Sequence, residues 1–269
     1  MTVTRFAPSP TGLLHLGHAY AAIFAARAGE RFLVRIEDID GTRVRAEYEE
    51  AIWEDLAWLG LEWEQPVRRQ SEHLEDYAAA LEELEAGGFA YPCFCTRREI
   101  EAAVSAPHDP AGALYPGICR GLSSDEVVAR KAAGDAFALR LDVAMAIAAV
   151  GELRWDDRGI GEQIAAPERL GDVVLARKDI ATSYHLAVVV DDALQGVTLV
   201  TRGEDLLEST HVHRLLQELL GLPVPEWWHH RLVLDEAGKR MAKRDESLTL
   251  RALREGGVRP EDLLGRLGM

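Results

Sequence analysis

Short apolar runs and amphipathic segments alternate along the first third of the chain. Residues 3–6 predict a short strand, and residues 32–36 are a largely apolar run bounded by polar turns, which predicts a buried strand. The apolar segment at residues 19–27 between them predicts a helix. In residues 43–59 and 72–86 the apolar positions recur at near-helical spacing, which predicts two further helices.

Beyond these helices the pattern becomes irregular, with prolines, glycines and all three cysteines, before regular elements return. Residues 187–190 and 197–200 predict two more strands, residues 210–220 predict a helix, and residues 231–234 resemble a strand. Strands that alternate with helices favour an α/β fold with a parallel sheet, which binds ligands at the carboxyl ends of its strands. We interpret the irregular stretch as an insertion into this fold.

The first candidate site is the segment from His15 to His18, which follows a proline-rich turn at residues 8–12. A helix that begins after such a turn offers backbone N–H groups and the positive end of its dipole to a phosphate. The two histidines are three residues apart and therefore share one helix face, and Gly17 leaves room for a flat base. The alternative is a pair of surface histidines. A zinc-protease motif would need a spacing of four and an intervening glutamate.

The second candidate site is a basic loop at residues 238–244. The chain has only four lysines, and two of them, Lys239 and Lys243, lie in this loop. Taken alone, the loop could equally be a solvated basic turn. Together with the histidine segment, it suggests a nucleotide site that draws phosphate donors from both ends of the chain.

These two segments resemble the HIGH and KMSKS signatures of class I aminoacyl-tRNA synthetases. Five segments are more narrowly similar to glutamyl-tRNA synthetases: RFAPSPTG at 5–12, HLGH at 15–18, RIEDID at 35–40, YHLAVVVDD at 184–192 and RGEDLLEST at 202–210. Only 25 residues follow Arg244, so we expect no anticodon-binding region after the loop. That plan resembles the glutamyl-Q tRNA(Asp) synthetases, paralogues of the catalytic half of glutamyl-tRNA synthetase.

The resemblance implies a Rossmann-like catalytic domain with a zinc-binding insertion and a short helical C-terminus. We expect the first half of the catalytic domain at residues 1–87, the insertion at 88–180, the second half at 181–246 and the helical segment at 247–269. The implied activity is tRNA-independent activation of L-glutamate with ATP and Mg²⁺, followed by transfer of glutamate to the queuosine base of tRNA(Asp). A minimal glutamyl-tRNA synthetase, a glutamate ligase with a non-tRNA acceptor, and a non-catalytic regulator are the alternatives.

The resemblance also assigns roles to residues. The implied catalytic residues are His15, His18 and Lys243, and the ATP-binding set adds Gly17, Arg240 and Met241. In the loop Arg240 replaces the first lysine of the family signature and Ala242 replaces its serine. The implied contacts to L-glutamate are Arg5, Ala7, Ser9, Glu37, Tyr184 and Arg202. Arginines suit the carboxylates and Glu37 suits the ammonium group, although a surface ion pair would explain each of these residues singly.

The three cysteines, Cys93, Cys95 and Cys119, are predicted to bind one structural zinc ion. No secretory signal precedes them, so a disulfide is not expected, and thiolates select Zn²⁺ with four ligands. Residue chemistry alone favours His108 as the fourth ligand, whereas the resemblance implies Tyr115. Three buried, apolar thiols without a metal are the alternative.

The net charge of −15 is unusual for an RNA-binding protein, so RNA contacts would need local basic surface. Candidates are Arg97 and Arg98, Arg120, Arg130 with Lys131, and residues 240–244. No signal segment or apolar run of about 20 residues is present, so we expect a cytoplasmic, monomeric enzyme without a membrane partner.

Overall fold

The structure is a computed structural model that describes residues 1–96, 98–100, 114–178, 180–233 and 249–268. The described strands are β1 (Val3–Phe6), β2 (Arg31–Ile36), β3 (Arg68–Arg69), β4 (Ala90–Cys93), β5 (Ala138–Leu141), β6 (Arg154–Asp157), β7 (Gly161–Ile164), β8 (Val174–Arg177), β9 (Leu199–Gly203) and β10 (Glu226–His230). The described helices are α1 (Leu16–Ala28), α2 (Ala46–Trp58), α3 (Leu74–Ala86), α4 (Ser124–Ala132), α5 (Val143–Val150), α6 (Tyr184–Leu194), α7 (Leu207–Leu219), α8 (Leu250–Glu255) and α9 (Pro260–Leu267).

Parallel strands from the two ends of the chain form the central layer. β1 pairs in parallel with β2, and β2 pairs with β3. β10 lies in parallel between β9 and β6, and β7 adds an antiparallel edge. The N–H of Thr198, just before β9, donates to the carbonyl of Val3 at 3.0 Å and places β9 beside β1. The carboxyl ends of β1, β2 and β9 therefore meet at one edge, and the predicted α/β fold is confirmed.

Helices cover this layer with apolar faces. On one side α1 buries Tyr20 and Ile23 in a cluster that includes Ile52 and Leu56 of α2. Leu250 from α8 joins the same cluster. A second cluster contains buried residues of α3, α6 and α7 together with β5 and β8. No helix in the described ranges is long and apolar enough to cross a membrane.

A separate antiparallel sheet contains β4, β5 and β8 in that order. These strands lie within the predicted insertion at residues 88–180. β6 and β7 fall in the same range but belong to the layer that holds β9 and β10. Residues 88–180 thus contribute strands to two sheets. The boundaries of the four predicted units remain a prediction.

Two predicted strands were wrong in type or position. Residues 187–190 lie inside helix α6, where every residue from Leu186 to Asp192 is buried. A fully buried helix has no polar face, so its sequence looks like that of a buried strand. The strand expected at 231–234 is instead β10 at Glu226–His230, where Trp227 is buried. Residues 231–233 are not in a strand, and Leu234 is outside the described ranges.

Candidate active site

The N-terminus of α1 is closed by its own two histidines. His15 is the N-cap residue, and its Nδ1 accepts a hydrogen bond from the Gly17 N–H at 3.1 Å. His18 Nδ1 accepts from the His15 N–H at 3.2 Å, and the ring centroids are 3.9 Å apart. A neutral imidazole that accepts at Nδ1 carries its proton on Nε2. The two rings lie together as predicted, but they use backbone N–H groups that we had expected to face a phosphate.

Gly17 has a local reason to be glycine. A Cβ atom at this position would lie 3.0 Å from Cε1 and 3.2 Å from Nδ1 of the His15 ring. Such contacts are tighter than most Cβ contacts, so a side chain here would require the His15 ring to shift by a few tenths of an ångström, and glycine leaves the ring in place over the start of the helix. We had attributed Gly17 to the approach of a base, and the structure adds this requirement of the imidazole.

A small cavity opens at the carboxyl ends of β1, β2 and β9, beside His18. Its volume is about 190 Å³, and it collects five of the six predicted glutamate contacts: Arg5, Ala7, Glu37, Tyr184 and Arg202. Ser9, the sixth, lines a neighbouring cavity of about 570 Å³, which shares Glu37 and Tyr184 with the small one. The small cavity lies below the range of roughly 300–1,000 Å³ typical of sites for drug-sized ligands, and therefore suits an amino acid.

Arg202 is a buried cation surrounded by neutral acceptors. Its side chain donates to Tyr184 Oη at 3.3 Å, His213 Nδ1 at 3.0 Å, His229 Nε2 at 3.2 Å and Thr210 Oγ1. Arg202 is 6% exposed, and burial lowers the pKa of its guanidinium. No carboxylate of the described residues forms an ion pair with it. A buried charge without a counter-ion is costly, so the cavity is built to receive an anion.

The charge of Arg202 fixes the proton positions on its histidines. Because arginine can only donate, His229 accepts at Nε2 and donates from Nδ1 to Asp157 Oδ2 at 2.6 Å. His213 accepts at Nδ1, and its Nε2 then donates to His185 Nδ1 at 3.1 Å. Burial and the nearby Arg202 charge lower the pKa of His185 and of His229 to about 4. Both histidines therefore stay neutral at physiological pH.

Arg5 lines the same cavity, but its charge is already matched. Its Nε donates to Asp192 Oδ1 at 2.9 Å, and its Nη1 donates to the Thr201 carbonyl at 3.1 Å. Asp192 also accepts from Arg35 Nη1 at 2.7 Å. Burial alone would raise the pKa of Asp192, yet the guanidinium groups of Arg5 and Arg35 hold it below its ordinary value. Arg5 could bind a substrate carboxylate, as the sequence predicts, only while it is also paired with Asp192.

Asp191 extends this pairing into a buried network. Its carboxylate accepts from Arg68 Nε at 2.7 Å, Gln70 Nε2 at 2.8 Å and Tyr77 Oη at 2.9 Å. Three arginines (Arg5, Arg35 and Arg68) thus meet three carboxylates (Glu37, Asp191 and Asp192). We call these six residues the matched network. It fixes α6 against β1, β2 and β3 and positions one wall of the cavity.

Glu37 faces both the network and the cavity. Its Oε1 lies 3.4 Å from Arg35 Nη2, and burial raises the pKa of its carboxyl group although the Arg35 charge opposes this. Its backbone N–H donates to the Pro8 carbonyl at 3.0 Å, which holds the proline-rich turn against the end of β2. A cationic group in the cavity would relieve the cost of keeping Glu37 ionised.

The predicted lysine loop falls outside the described residues, and with it Arg240, Met241, Ala242 and Lys243. The chain that follows the loop returns to the histidine segment. The Leu250 N–H donates to the Leu14 carbonyl at 2.8 Å, and Thr249 forms an antiparallel bridge with His15. The end of the segment that carries the loop is therefore anchored beside His15.

The three cysteines form a buried cluster together with Tyr115. Their sulfur atoms lie within 4.8 Å of one another and could hold a metal ion. Tyr115 Oη lies 3.2 Å from Cys93 Sγ and 3.6 Å from Cys95 Sγ, and Cys95 Sγ lies 3.4 Å from Cys119 Sγ. His108 is outside the described residues. These spacings are near the edge of about 3.8 Å expected for a tetrahedron with zinc–sulfur bonds of about 2.3 Å.

Without a metal cation the groups of the cluster differ in their preference for the protonated form. Burial alone would raise the pKa of the Cys93 thiol, yet hydrogen bonds from Tyr115 and Arg140 hold it below its ordinary value. Burial and the neighbouring thiols raise the pKa of the Cys95 thiol to about 12, and burial also raises the pKa of Tyr115. The Arg140 guanidinium lies 3.9 Å from the centre of the Tyr115 ring and holds it by a cation–π contact. The donor set fits a thiophilic cation, which would displace the thiol protons.

The residues around Arg202 are those that sequence reasoning missed. Asp157, Thr210, His213 and His229 come from β6, α7 and β10. Thr210 ends a segment used for the resemblance but was assigned no role, and the other three lie outside the segments used for it. Asp192 lies in a segment used for the resemblance, but its partners in β1 and β2 are about 160 to 190 positions away. Two tryptophans followed by two histidines were the only sequence signal of the residues around Arg202. Such a run does not show whether the side chains form a binding site or part of the hydrophobic core.

The whole chain, residues 1–269, matches a family model described as the catalytic domain of class I tRNA synthetases for E and Q. A protein named Glutamyl-Q tRNA(Asp) synthetase from Rhodobacter capsulatus is 50% identical over 280 aligned positions, which cover 99% of this chain and 100% of that protein. A protein of the same name from Nocardia farcinica is 46% identical, over 98% of this chain and 82% of its own length.

Solved structures give a similar picture. Glutamate-tRNA synthetase from Elizabethkingia anophelis superimposes with a TM-score of 0.76 at 32% identity and covers 91% of this chain. A glutamate tRNA ligase from Elizabethkingia meningosepticum, solved with its amino acid, has a TM-score of 0.75 at 32% identity. This chain spans about half the length of each, 53% and 52% respectively.

Proposed function

Since this chain belongs to the glutamyl-Q tRNA(Asp) synthetases, within the class I tRNA synthetases for E and Q, we propose that it activates L-glutamate and transfers it to tRNA(Asp). In the proposed reaction, glutamate and ATP form glutamyl-adenylate without tRNA, and a hydroxyl group of the queuosine base then accepts the glutamyl group. The names of the relatives support the acceptor, and the cavity supports the amino acid.

The observation that carries the proposal is the unmatched charge of Arg202 opposite Glu37. Both side chains line one cavity of about 190 Å³. We assign the side-chain carboxylate of glutamate to Arg202 and the Tyr184 hydroxyl, and the ammonium group to Glu37. Glutamine would leave the guanidinium without a counter-ion, so this arrangement selects the acid over the amide. Ala7 lines the cavity without a polar side chain, and Arg5 steadies its wall through Asp192.

The ATP contacts follow from the start of α1. The α-carboxylate of glutamate attacks the α-phosphate, and negative charge builds on phosphorus and on the departing pyrophosphate. We assign the Nε2–H groups of His15 and His18 to these oxygens, because their Nδ1 atoms are used by the backbone. Lys243, Arg240 and Met241 are proposed to complete the site from the lysine loop. Mg²⁺ is expected to arrive with ATP and to neutralise its phosphates.

For the cysteine cluster we propose one structural zinc ion held by Cys93, Cys95, Tyr115 and Cys119. When bound, the ion supplies a positive charge that keeps four donor groups ionised and ties β4 to the segment at residues 115–119. Metal analysis should give about one zinc per chain, and Cys95→Ser should lower zinc content and stability, with transfer affected more than activation. Zinc retained in Tyr115→Phe but lost in His108→Ala would contradict the choice of Tyr115.

A second candidate function is aminoacylation of a tRNA 3′ end. A protein named Glutamate--tRNA ligase from Aquifex aeolicus is 41% identical over 98% of this chain, but this chain covers only 56% of it. The relatives that it covers more fully carry the other name. Cytoplasmic location, a monomeric state and the four-unit division remain predictions.

The deciding experiment separates activation from transfer. Glutamate-dependent exchange of pyrophosphate into ATP should proceed without RNA, and labelled glutamate should then appear on queuosine-containing tRNA(Asp). Nuclease mapping should place the label in the anticodon loop. Label on the terminal adenosine, or equal charging of tRNA that lacks queuosine, would support the second candidate, and exchange that requires tRNA would contradict independent activation.

A further inference from the structure

Lysine is rare in this acidic chain, and its described lysines lie together. Of four lysines, Lys131 and Lys178 are in the described ranges, and both line one surface groove of about 280 Å³. Lys131 ends the last turn of α4, and Lys178 follows β8 directly. The groove between them is lined by Phe137, with Lys131 Nζ 4.8 Å from the centre of its ring. We call this feature the lysine groove.

The charges of the lysine groove are not matched, whereas those of nearby arginines are. Arg130 Nε lies 2.8 Å from Asp135 Oδ2, and Arg120 is held by Asp172. Asp135 also lines the groove, but its carboxylate already serves Arg130. Within the described part of the chain, no carboxylate forms an ion pair with Lys131 or Lys178. In a protein with net charge −15, two exposed and unmatched ammonium groups at one groove mark a surface for an anionic partner.

The lysine groove is next to the larger of the two cavities described above. Arg177 lines both, and β8 runs from Val174 at the cavity to the groove beside Lys178. The cavity in turn shares Glu37 and Tyr184 with the glutamate cavity. Its volume of about 570 Å³ lies within the range for bound ligands larger than an amino acid. The groove, the large cavity and the glutamate cavity are therefore neighbours in that order, each sharing at least one lining residue with the next.

We propose that the lysine groove binds backbone phosphates of a single-stranded RNA loop, and that the adjoining cavity takes one nucleoside extruded from that loop. This inference rests on the proposed function, because the extruded nucleoside would be the acceptor of the glutamyl group. Lys131 and Lys178 contact phosphates, and the Phe137 ring offers an apolar face beside them. The Ser9 and Thr182 hydroxyls and the Asp40 carboxylate line the cavity and suit the hydroxyl groups of a nucleoside.

RNA fits this surface better than an acidic protein segment does. An acidic peptide would be attracted to the groove but has no group that requires a deep cavity next to it. Bases of a single-stranded loop can be turned out of the stack and inserted into such a cavity. The sequence candidates are refined accordingly. Lys131 remains a phosphate contact, Arg120 and Arg130 are occupied by carboxylates, and Lys178 is added.

The test compares the full-length protein with a Lys131→Ala/Lys178→Ala double variant. The matched control is Arg27→Ala, which removes an exposed cation from the last turn of α1, at the opposite end of that helix from the histidines. Binding of a tRNA(Asp) anticodon stem-loop is measured across a salt series, together with glutamate transfer and RNA-free pyrophosphate exchange. Each lost phosphate contact should reduce the salt slope by about 0.7.

Two lost contacts correspond to about a tenfold loss of RNA affinity at physiological salt, and the KM for RNA in transfer should rise similarly. Exchange should be unchanged, and the control should bind like the parent. Unchanged affinity and salt slope in the double variant, or binding of a polyglutamate peptide as tight as that of RNA, would overturn the proposal. If lysine-dependent RNA binding is observed but no glutamate reaches queuosine, the groove stands and the proposed acceptor fails.

Discussion

Two neighbouring groups of buried charge in this protein are built on opposite plans. In the matched network, Arg35 is fully buried and every guanidinium faces carboxylates of α6 or Glu37. Around Arg202, an equally buried guanidinium faces a hydroxyl pair and neutral imidazoles. The first group is complete without a ligand, and the second lacks an anion. The difference separates charges that hold the fold from a charge that is kept for the substrate.

The cysteine cluster is a third group of buried polar side chains. Its donor groups become negative on ionisation, whereas Arg202 is positive. Three thiols and a phenol lie together, and among the described residues Arg140 is the guanidinium beside them, hydrogen-bonded to Cys93 and stacked on the Tyr115 ring. Arg202 has no carboxylate of the described residues as an ion-pair partner, and the four donor groups of the cysteine cluster have one guanidinium, that of Arg140, beside them. In both candidate sites, the charge of preformed side chains is thus not fully balanced by neighbouring groups of opposite sign.

The largest effect is expected from breaking the matched network. Asp192→Asn should lower the free energy of unfolding by about 3–5 kcal/mol, because it leaves Arg5 and Arg35 buried with reduced compensation. Urea unfolding monitored by circular dichroism measures the change. Glu64→Gln is the control, since it breaks an exposed pair with Arg31 and should change stability by less than about 1 kcal/mol. Equal effects of the two substitutions would contradict the distinction drawn here.

Substitution of Arg202 should affect glutamate activation more than stability, the reverse of what is expected for Asp192→Asn. Arg202→Met should lower kcat/KM for glutamate activation about 100- to 1,000-fold, because the substrate carboxylate loses the cation assigned to it, and Arg5 in the same cavity is already paired with Asp192. The free energy of unfolding should fall less than in Asp192→Asn, since only neutral acceptors lose a donor and no carboxylate loses a partner. Pyrophosphate exchange and urea unfolding of one preparation give both values. A strongly destabilised variant with normal kcat/KM would place Arg202 in the structural group instead.

The smallest expected effect is a pH dependence of stability that arises at Arg202. His185 and His229 have pKa values of about 4 in the folded protein, against about 6.5 in an unfolded chain. Between these values the unfolded state binds more protons, so stability falls as the pH is lowered from about 6.5 to 4. The slope is at most about 1.4 kcal/mol per pH unit for each histidine.

The measurement is the melting temperature from pH 7 to pH 4.5. His229→Gln should flatten the acid side of this curve, because one of the buried histidines with a lowered pKa is removed. His73→Gln, at a partly exposed position outside the cavity, is the control and should leave the slope unchanged. An unchanged slope in His229→Gln would show that this histidine is protonated equally in both states.

The sequence predicted the parts of this architecture that depend on local pattern. Strands β1 and β2 and helices α1, α2, α3 and α7 were recognised because each has one polar and one apolar side or clear end signals. Helix α6 was mistaken for a strand because both of its sides are buried. Periodicity carries no information where burial is uniform.

Residues of the candidate active site were predictable only within segments that resemble a family motif. Arg5, Glu37, Tyr184 and Arg202 were named through the family resemblance, and the structure places them around one cavity. The side chains that pair with these residues, and so decide whether their charges are matched, were not predictable. Whether an arginine is matched depends on residues such as Asp192 and His229, which approach it only through tertiary packing.

The junction of β1 with β9 also has a consequence for synthesis of the chain on the ribosome. Thr198 meets Val3, and Asp192 meets Arg5, so each contact joins residues nearly 200 positions apart. Until β9 has emerged from the exit tunnel, β1 exposes an unpaired edge and Arg5 has no counter-ion. Such late closure slows folding and leaves the nascent N-terminal half open to wrong pairing. The substrate cavity is therefore among the last parts of the molecule to form during translation.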